Sequence, residues 1–161
     1  MEKTGILFVC LGNICRSPTA HGVFLKKLSE HPDLAERLEV DSAGTAAYHV
    51  GNPPDARSAE IAGRRGYDLS ALRARAVSAE DYRRYRYILA MDQQNFANLR
   101  AGCPSSFDGH LSLFLDFAGL DNAEVPDPYY THGEAGFEEV LDLVERASDG
   151  LITHLRRELL D

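Results

Sequence analysis

A cysteine and an arginine separated by five residues lie near the start of the chain, and a serine follows directly. The segment from Cys10 to Ser17 contains Gly12 and Asn13, the residue types that best tolerate left-handed backbone conformations. These residues let the chain curl so that successive N–H groups point inward and bind an anion. The planar guanidinium of Arg16 can hold the same anion through two parallel hydrogen bonds. Phosphate is the anion that this pattern indicates.

Cys10 is the candidate nucleophile of this segment. Backbone N–H groups, the positive end of the following helix and Arg16 all stabilise a negatively charged sulfur, so we expect a thiolate. The Ser17 hydroxyl can also donate a hydrogen bond to it. A thiolate that faces a bound phosphoryl group is positioned to attack the phosphorus. The alternatives are that Cys10 is an inert buried cysteine and that Ser17 only caps a helix.

Cleavage of a phosphate ester also needs a group that protonates the leaving oxygen. The sequence contains no HExxH, Walker A or EF-hand motif, so we expect a carboxylic acid in this role and neither a metal nor a cofactor. Asp127 is the candidate, because Pro126 and Pro128 restrict the backbone on either side of it. The alternative is that Asp127 is an ordinary turn residue.

The elements that must position these groups alternate between strands and helices. Apolar runs predict strands at residues 5–9, 38–42, 87–91 and 111–114, and helical patterns begin at 17–18, 53–55 and 92, with a long amphipathic helix over 137–155. Ser17 is the expected N-cap of the first helix. The alternation predicts an α/β fold, a single domain over residues 1–161 with a parallel sheet and helices on both faces. Ligands bind beyond the carboxyl ends of such strands, and Cys10 ends the first one.

Composition and charge limit the classes of function. The chain has 161 residues, of which 44% are hydrophobic, and this suits one globular domain with a sizeable core. The net charge of −8 argues against nonspecific binding to nucleic acid. No window approaches the length of a membrane span and no signal peptide is evident, so no membrane partner is expected. Three cysteines without a CxxC pair fit a reducing compartment, which predicts a cytoplasmic location.

The segment from Val9 to Pro18, together with Asp-Pro-Tyr-Tyr at 127–130, resembles the low-molecular-weight protein tyrosine phosphatase family. Residues 41–45, 53–57 and 91–92 extend the resemblance over nearly the whole chain. It implies a four-stranded parallel sheet with a phosphate-binding loop after strand 1. It also implies hydrolysis of phosphotyrosine in proteins, and of small aryl phosphates, through a cysteinyl-phosphate intermediate.

The resemblance assigns a role to each of the three reactive residues. Cys10 is the expected nucleophile, and Arg16 is the expected phosphoryl binder. Asp127 is the expected acid that protonates the tyrosyl oxygen, and then the base that activates water. The expected substrate is therefore a protein that contains phosphotyrosine.

Further residues are expected to surround or support the phosphate. Those of the loop itself are Leu11, Gly12, Asn13, Ile14, Cys15 and Ser17. The resemblance implies that Asn13 braces the loop with help from Ser42, and that Ser17 stabilises the thiolate. One position departs from the family pattern. Relatives often have a histidine that supports the loop two residues after an Asp-Leu-Ser sequence, and here that position is Leu72.

Aromatic side chains are the candidates for substrate selection. Tyr48, Tyr129 and Tyr130 could line a cleft and stack on an aryl ring. A deep cleft would admit phosphotyrosine to Cys10 and leave phosphoserine short of it. Ile14 also favours tyrosine, because the related protein arginine phosphatases resemble this family but have Thr at the position.

Other functions of the same residues stay open. One alternative is a protein arginine phosphatase, and another is an arsenate reductase, which needs two additional cysteines where only Cys103 remains. A third is a non-enzymatic redox sensor with Cys10 and Cys15 as its dithiol, although a sensor has no use for an acid at Asp127. In an enzyme, Cys15 could instead protect Cys10 by closing a disulfide, or it could simply fill space under the loop.

Overall fold

The structure is a computed structural model that describes residues 2–128 and 133–161 of the chain. Its four strands are all parallel and form one sheet in the order β2-β1-β3-β4. The strands are β1 Thr4–Cys10, β2 Leu38–Gly44, β3 Tyr87–Ala90 and β4 His110–Leu113. The predicted α/β fold with a four-stranded parallel sheet is confirmed.

Helices connect the strands and cover the sheet. Within the described residues they are α1 Arg16–Leu28, α2 Pro32–Ala35, α3 Ala56–Arg64, α4 Asp81–Arg84, α5 Gln93–Gly102 and α6 Ala135–Leu159, with a 3-10 helix at Phe114–Ala118. Periodicity did not predict α2, α4 or the 3-10 helix, because each is too short to show a repeating apolar face. Among the helices described, none is long and apolar enough to cross a membrane.

The sheet is buried on both faces. Ile6 and Phe8 of β1 belong to an apolar cluster that includes residues of α1 and α6, whereas Leu7 and Val9 belong to a second cluster with residues of α4 and α5. Successive residues of a strand point to opposite faces, so each face of β1 contributes to one cluster. This explains why β1 is a continuous apolar run rather than an alternating one. The predicted placement of helices on both faces is confirmed.

The carboxyl ends of the parallel strands lie at one edge of the sheet, and the functional groups converge there. Cys10 ends β1, and the loop that follows leads directly into α1. The segment that carries Asp127 is brought to the same edge by a backbone hydrogen bond, from the Val125 N–H to the Met91 carbonyl, at 2.8 Å. Since Met91 follows β3, this bond joins a distant loop to the end of the strand beside β1.

Candidate active site

The loop between β1 and α1 is shaped by Asn13 and Gly12 in different ways. Asn13 is in the left-handed conformation, with φ of 58°. Gly12 does not have a positive φ, contrary to the expectation from the sequence. A Cβ atom there would lie 2.8 Å from Cδ2 of the His49 ring, so a larger residue would displace that ring. The Asn13 N–H points at the Cys10 sulfur, with an N–Sγ distance of 3.3 Å.

Helix α1 begins at Arg16, two residues before the start predicted at Pro18. Cys15 occupies the N-cap position and makes no side-chain capping bond. The prediction that Ser17 is the N-cap is wrong, because Ser17 lies inside the first turn and its hydroxyl oxygen is 3.0 Å from the Cys10 sulfur. Within the described residues, the N–H groups of Cys15 and Arg16 have no backbone acceptor. They lie at the positive end of α1, where they can bind an anion.

The amide of Asn13 orients the groups beneath the loop. Its Oδ1 accepts a hydrogen bond from the Arg75 N–H at 3.0 Å, so its Nδ2 is the donor to Ser17 Oγ at 2.7 Å and to Ser42 Oγ at 3.1 Å. Because the Ser17 oxygen accepts from Asn13, its proton can go to the Cys10 sulfur at 3.0 Å or to the Ala43 carbonyl at 3.4 Å, and the sulfur is the nearer acceptor. A hydrogen bond in that direction stabilises a negative charge on the sulfur.

Support of the loop does not come from Leu72, whose side chain packs against the apolar core. A histidine from a different element reaches the same network: Nδ1 of His21, in α1, lies 3.2 Å from Ser42 Oγ. His21 is only 5% exposed, and burial lowers the pKa of its ring below the ordinary value of 6.5. The nearby charge of Asp41 acts in the opposite direction. His21 is not among the residues predicted from the sequence.

Arg16 is buried, at 3% exposure, and is held in place by three groups. Its Nη1 donates to Asp92 Oδ2 at 2.7 Å and to the Val125 carbonyl at 3.1 Å, while its Nη2 lies 3.5 Å from Asp127 Oδ2. Asp92 is also the N-cap of α5, where it accepts a hydrogen bond from the Asn95 N–H. Asp92 is not among the predicted site residues. The sequence did contain a signal for Asp92, because this aspartate stands between a predicted strand and a predicted helix.

A cleft opens above Cys10. It is lined by Cys10, Leu11, Gly12, Ile14, Cys15, Arg16, Tyr48, His49 and Asp127. The structure therefore brings together the three residues predicted to react, although Asp127 is far from the others in sequence. Asn13, Ser17 and Ser42 do not line the cleft and are buried beneath the loop, so their position is that of supports.

The rim of the cleft carries the aromatic groups. Tyr48 is 76% exposed, and its ring lies beside that of His49, with 6.4 Å between the centroids. Tyr48 is therefore at the mouth of the cleft rather than in a deep wall. Tyr129 and Tyr130 lie outside the described residues. His49 is a lining residue that the sequence did not predict.

The three cysteines differ in their surroundings. Cys15 is a buried residue of the loop, and burial raises the pKa of its thiol to about 12, so Cys15 is a neutral thiol at physiological pH. Cys103 packs at the other face of the sheet and does not line the cleft. All three are free. In the part of the chain that the structure describes, no group of three or more His, Cys, Asp or Glu side chains could hold a metal ion.

Comparisons with known proteins agree with this geometry. The sequence model of the low molecular weight phosphotyrosine protein phosphatase family matches residues 5–160. The low molecular weight protein-tyrosine-phosphatase YfkJ of Bacillus subtilis is 40% identical over 154 residues, which cover 95% of this chain and 96% of that protein.

Two solved structures extend the comparison. A protein tyrosine phosphatase from Entamoeba histolytica, with Hepes in the active site, has a TM-score of 0.90 at 40% identity and covers 98% of this chain and 100% of its own. A Drosophila arginine phosphatase has a TM-score of 0.86 at 28% identity and covers 92% of this chain and 96% of its own. The chain belongs to the low molecular weight phosphotyrosine protein phosphatase family, and it is a phosphatase.

Proposed function

We propose that this phosphatase hydrolyses phosphotyrosine in proteins, and small aryl phosphates, through a cysteinyl-phosphate intermediate. The observation that carries the proposal is the convergence of Cys10, Arg16 and Asp127 on one cleft. The reaction requires a nucleophile, a cation for the phosphoryl oxygens and a proton donor for the leaving group. These three residues supply one group of each kind.

Arg16 binds the phosphoryl group in this proposal. Its guanidinium can donate hydrogen bonds to two phosphoryl oxygens side by side, and the N–H groups of the loop can bind the third. Asp92 and the Val125 carbonyl already hold the guanidinium at 2.7 and 3.1 Å. Binding therefore does not have to order a long side chain, so less conformational entropy is lost when the substrate binds.

In the first step the Cys10 thiolate attacks phosphorus, and the bond between phosphorus and the tyrosyl oxygen breaks. Asp127 gives its proton to that oxygen, so the tyrosine leaves as a neutral phenol. The 3.5 Å distance between Asp127 Oδ2 and Arg16 Nη2 supports this role. A phosphoryl group held by the guanidinium lies within reach of the carboxyl group.

In the second step water replaces the sulfur. The Asp127 carboxylate takes a proton from water, the water oxygen attacks phosphorus, and the sulfur–phosphorus bond breaks to release inorganic phosphate and the thiolate. The Ser17 hydroxyl and the Asn13 N–H lie 3.0 and 3.3 Å from the sulfur. Both can stabilise the thiolate as it leaves.

The preference for tyrosine rests on the lining of the cleft. Tyr48 at the rim can contact an aryl ring, and Ile14 presents an apolar side chain to the substrate side of the loop. A guanidinium-linked phosphate is more polar than an aryl ester, and Ile14 offers it no hydrogen bond. We therefore propose phosphotyrosine rather than phosphoarginine as the main substrate.

The proposed setting is the cytoplasm, with phosphoproteins as partners and with neither nucleic acid nor a membrane. Three free cysteines suit a reducing compartment. A net charge of −8 does not favour binding to a polyanion. Oxidation of Cys10 would stop turnover, so the proposed enzyme is redox-sensitive.

The decisive experiment is turnover of an aryl phosphate in EDTA, with a rapid acid quench to trap the intermediate. The parent protein should hydrolyse the ester and carry one phosphoryl group on Cys10. Cys10→Ser should lose turnover yet still bind inorganic phosphate, and Arg16→Ala should lose both. Cys103→Ser is the control and should behave as the parent. Measurable turnover in Cys10→Ser would rule out the covalent mechanism.

A further inference from the structure

Hydrogen bonds beneath the loop form one continuous series from Cys10 to His21. The Cys10 sulfur lies 3.0 Å from Ser17 Oγ, which accepts from Asn13 Nδ2 at 2.7 Å. The same nitrogen donates to Ser42 Oγ at 3.1 Å, and that oxygen lies 3.2 Å from His21 Nδ1. All five residues are buried. His21 does not line the cleft, so any effect on the substrate must pass through the other four.

The Asn13 amide fixes the direction of two of these hydrogen bonds. The Arg75 N–H donates to Asn13 Oδ1, which identifies Nδ2 as the end that faces both serines. The Ser42 oxygen therefore accepts from Asn13, and its own proton needs a different acceptor. Within the described residues, the acceptor in contact with this hydroxyl is His21 Nδ1. A neutral His21 ring with its proton on Nε2 supplies that acceptor.

We propose that neutral His21 is a positioning residue for Cys10 and that it acts through Ser42 and Asn13. By accepting the Ser42 proton, His21 keeps the Ser42 oxygen directed at Asn13. Both protons of the Asn13 amino group are then hydrogen-bonded, one to Ser17 and one to Ser42, and these two bonds fix the plane of the amide. This orientation directs the Ser17 hydroxyl onto the sulfur.

Loss of the His21 acceptor would disturb this arrangement at a defined point. The Ser42 hydroxyl would have to turn to find another acceptor, and a buried amide proton of Asn13 would lose its partner. Because Asn13 sits at the left-handed turn of the loop, its side chain and the loop backbone move together. The Ser17 hydroxyl would then be less well aligned with the sulfur.

The surroundings of His21 favour the neutral ring that the hydrogen bonds require. Burial lowers its pKa, and the residue is only 5% exposed. Asp41 of β2 is the charged group that favours protonation. That carboxylate is engaged by Arg75 Nε at 3.0 Å, which offsets its charge at the histidine.

The inference deepens the proposed function and depends on Cys10 being its nucleophile. Since His21 contacts neither the cleft nor Arg16, its loss should lower kcat much more than it raises KM. We expect His21→Leu to lower kcat about tenfold, the size of effect that one misaligned hydrogen bond produces. His21→Asn should restore most of the rate, because Asn Oδ1 takes nearly the position of Nδ1 and accepts the Ser42 proton.

The matched control is His154→Leu. The His154 Nε2 atom also contacts a hydroxyl, that of Tyr87 at 3.1 Å, but this pair joins α6 to the start of β3, away from the loop. The substitution should lower stability while kcat is unchanged. A fall in kcat that is similar in His154→Leu and His21→Leu would mean that His21 has no specific role.

A double-mutant cycle with Ser42→Ala tests the route. If His21 acts through Ser42, adding His21→Leu to Ser42→Ala should cost no further activity, whereas independent roles would give multiplied losses and overturn the proposal. If His21→Leu does not fold, His21→Gln takes its place. The Gln side chain is one carbon longer than that of Asn, so its amide oxygen does not occupy the Nδ1 position that accepts the Ser42 proton. The Gln variant should be slower than His21→Asn, and equal rates would contradict the proposal.

The rate of Cys10 alkylation by iodoacetamide at fixed pH separates this inference from the proposed function. It reports the reactivity of the sulfur without any turnover. We expect slower alkylation in His21→Leu and a parental rate in His21→Asn, whatever substrate the enzyme prefers. Unchanged alkylation in His21→Leu would overturn the positioning role even if Cys10 is the nucleophile.

Discussion

Arg16 lies between two carboxylates, 2.7 Å from Asp92 through Nη1 and 3.5 Å from Asp127 through Nη2. The two carboxylates are held differently. Asp92 is anchored as the N-cap of α5 by the Asn95 N–H, whereas Asp127 is 29% exposed and lies on a loop that lines the cleft. The short, anchored contact suits a residue that holds the arginine, and the longer one suits a residue that reacts.

The first prediction concerns Asp127 as the general acid. Asp127→Ala should slow hydrolysis of esters with poor leaving groups by about 10²- to 10⁴-fold, the usual contribution of a general acid. Esters with good leaving groups should be affected much less, because their oxygen departs without a proton. The measurement is kcat/KM across a series of aryl phosphates of graded leaving-group acidity. An equal loss across the series would mean that Asp127 is structural.

A second prediction separates the two roles of Asp92. Asp92→Asn keeps an oxygen that can cap α5, because Asn is as good an N-cap as Asp, but it removes the charge that holds Arg16. We expect weaker inhibition by inorganic phosphate, by about tenfold or more, since a charge-assisted hydrogen bond is lost. Thermal stability should also fall, because a buried N–H of Arg16 loses its acceptor, although α5 keeps its cap. Phosphate inhibition equal to that of the parent would show that Arg16 is oriented without Asp92.

The parts of the site that the sequence predicted are those built from neighbouring residues. Cys10, Arg16 and the loop between them form a local pattern, and the strand before it and the helix after it are read from apolar runs. Even there two details differed. A Cβ atom at Gly12 would crowd the His49 ring, and Ser17 does not cap α1, although its predicted contact with the Cys10 sulfur is present. The first depends on a side chain from outside the loop, and the second follows from α1 beginning at Arg16.

The parts that the sequence did not predict are contacts between distant elements. Asp92 meets Arg16 because β1 and β3 are adjacent in the sheet, and His21 meets Ser42 because α1 packs beside β2. Neither pair has a spacing in the sequence that marks it. Buried polar groups need hydrogen-bond partners, but the identity of each partner depends on how the helices and strands pack against one another.

The third prediction concerns the substrate preference at Ile14. Its side chain lines the cleft, while its carbonyl accepts from the Asp55 N–H at 2.8 Å, so a substitution there leaves the backbone contact in place. Ile14→Thr should increase the ratio of kcat/KM for phosphoarginine to that for phosphotyrosine, because a hydroxyl replaces an apolar surface. Ile14→Val is the matched control, with nearly the shape of Thr and no hydroxyl. If the two variants give the same ratio, the hydroxyl does not select the substrate.

Stability should depend on pH through His21. Its folded pKa is lowered by burial, so between that value and about 6.5 the unfolded chain binds the additional proton. The free energy of unfolding should therefore fall as the pH is lowered below about 6.5, by at most about 1.4 kcal/mol per pH unit for this one group. In His21→Asn the free energy of unfolding should depend less on pH below about 6.5.

Urea unfolding between pH 7.5 and 5.5 measures this dependence. His110 has a pKa that is lowered by burial and by His154, so it adds a dependence of the same sign. His110→Asn is therefore the companion variant, and each substitution should remove its own share of the slope. A parental slope in His21→Asn would mean that His21 titrates alike in the folded and unfolded chain.

The last prediction concerns Cys15 as a protector of Cys10. Peroxide converts a thiolate to a sulfenic acid, which further oxidation destroys irreversibly unless a second thiol closes a disulfide and releases water. Both cysteines line the same cleft, and Cys15 is a neutral buried thiol whose pKa burial raises to about 12. The negative charge of Cys10 is among the further causes of that rise. Burial is the largest cause, so Cys15 stays a neutral thiol until it attacks.

We therefore expect peroxide to inactivate the parent reversibly, with protection by phosphate and recovery on addition of a dithiol. Cys15→Ser should be inactivated irreversibly, when the recovered activity is expressed relative to the starting activity of the same variant. Cys103→Ser is the matched control. Cys103 packs on the face of the sheet opposite to the cluster that contains Cys10, so its substitution should not change the recovery of activity. Mass spectrometry of the peroxide-treated parent should find a Cys10–Cys15 disulfide, and in Cys15→Ser a sulfinic or sulfonic acid at Cys10. Full recovery of Cys15→Ser would show that Cys15 fills space under the loop and does not protect the nucleophile.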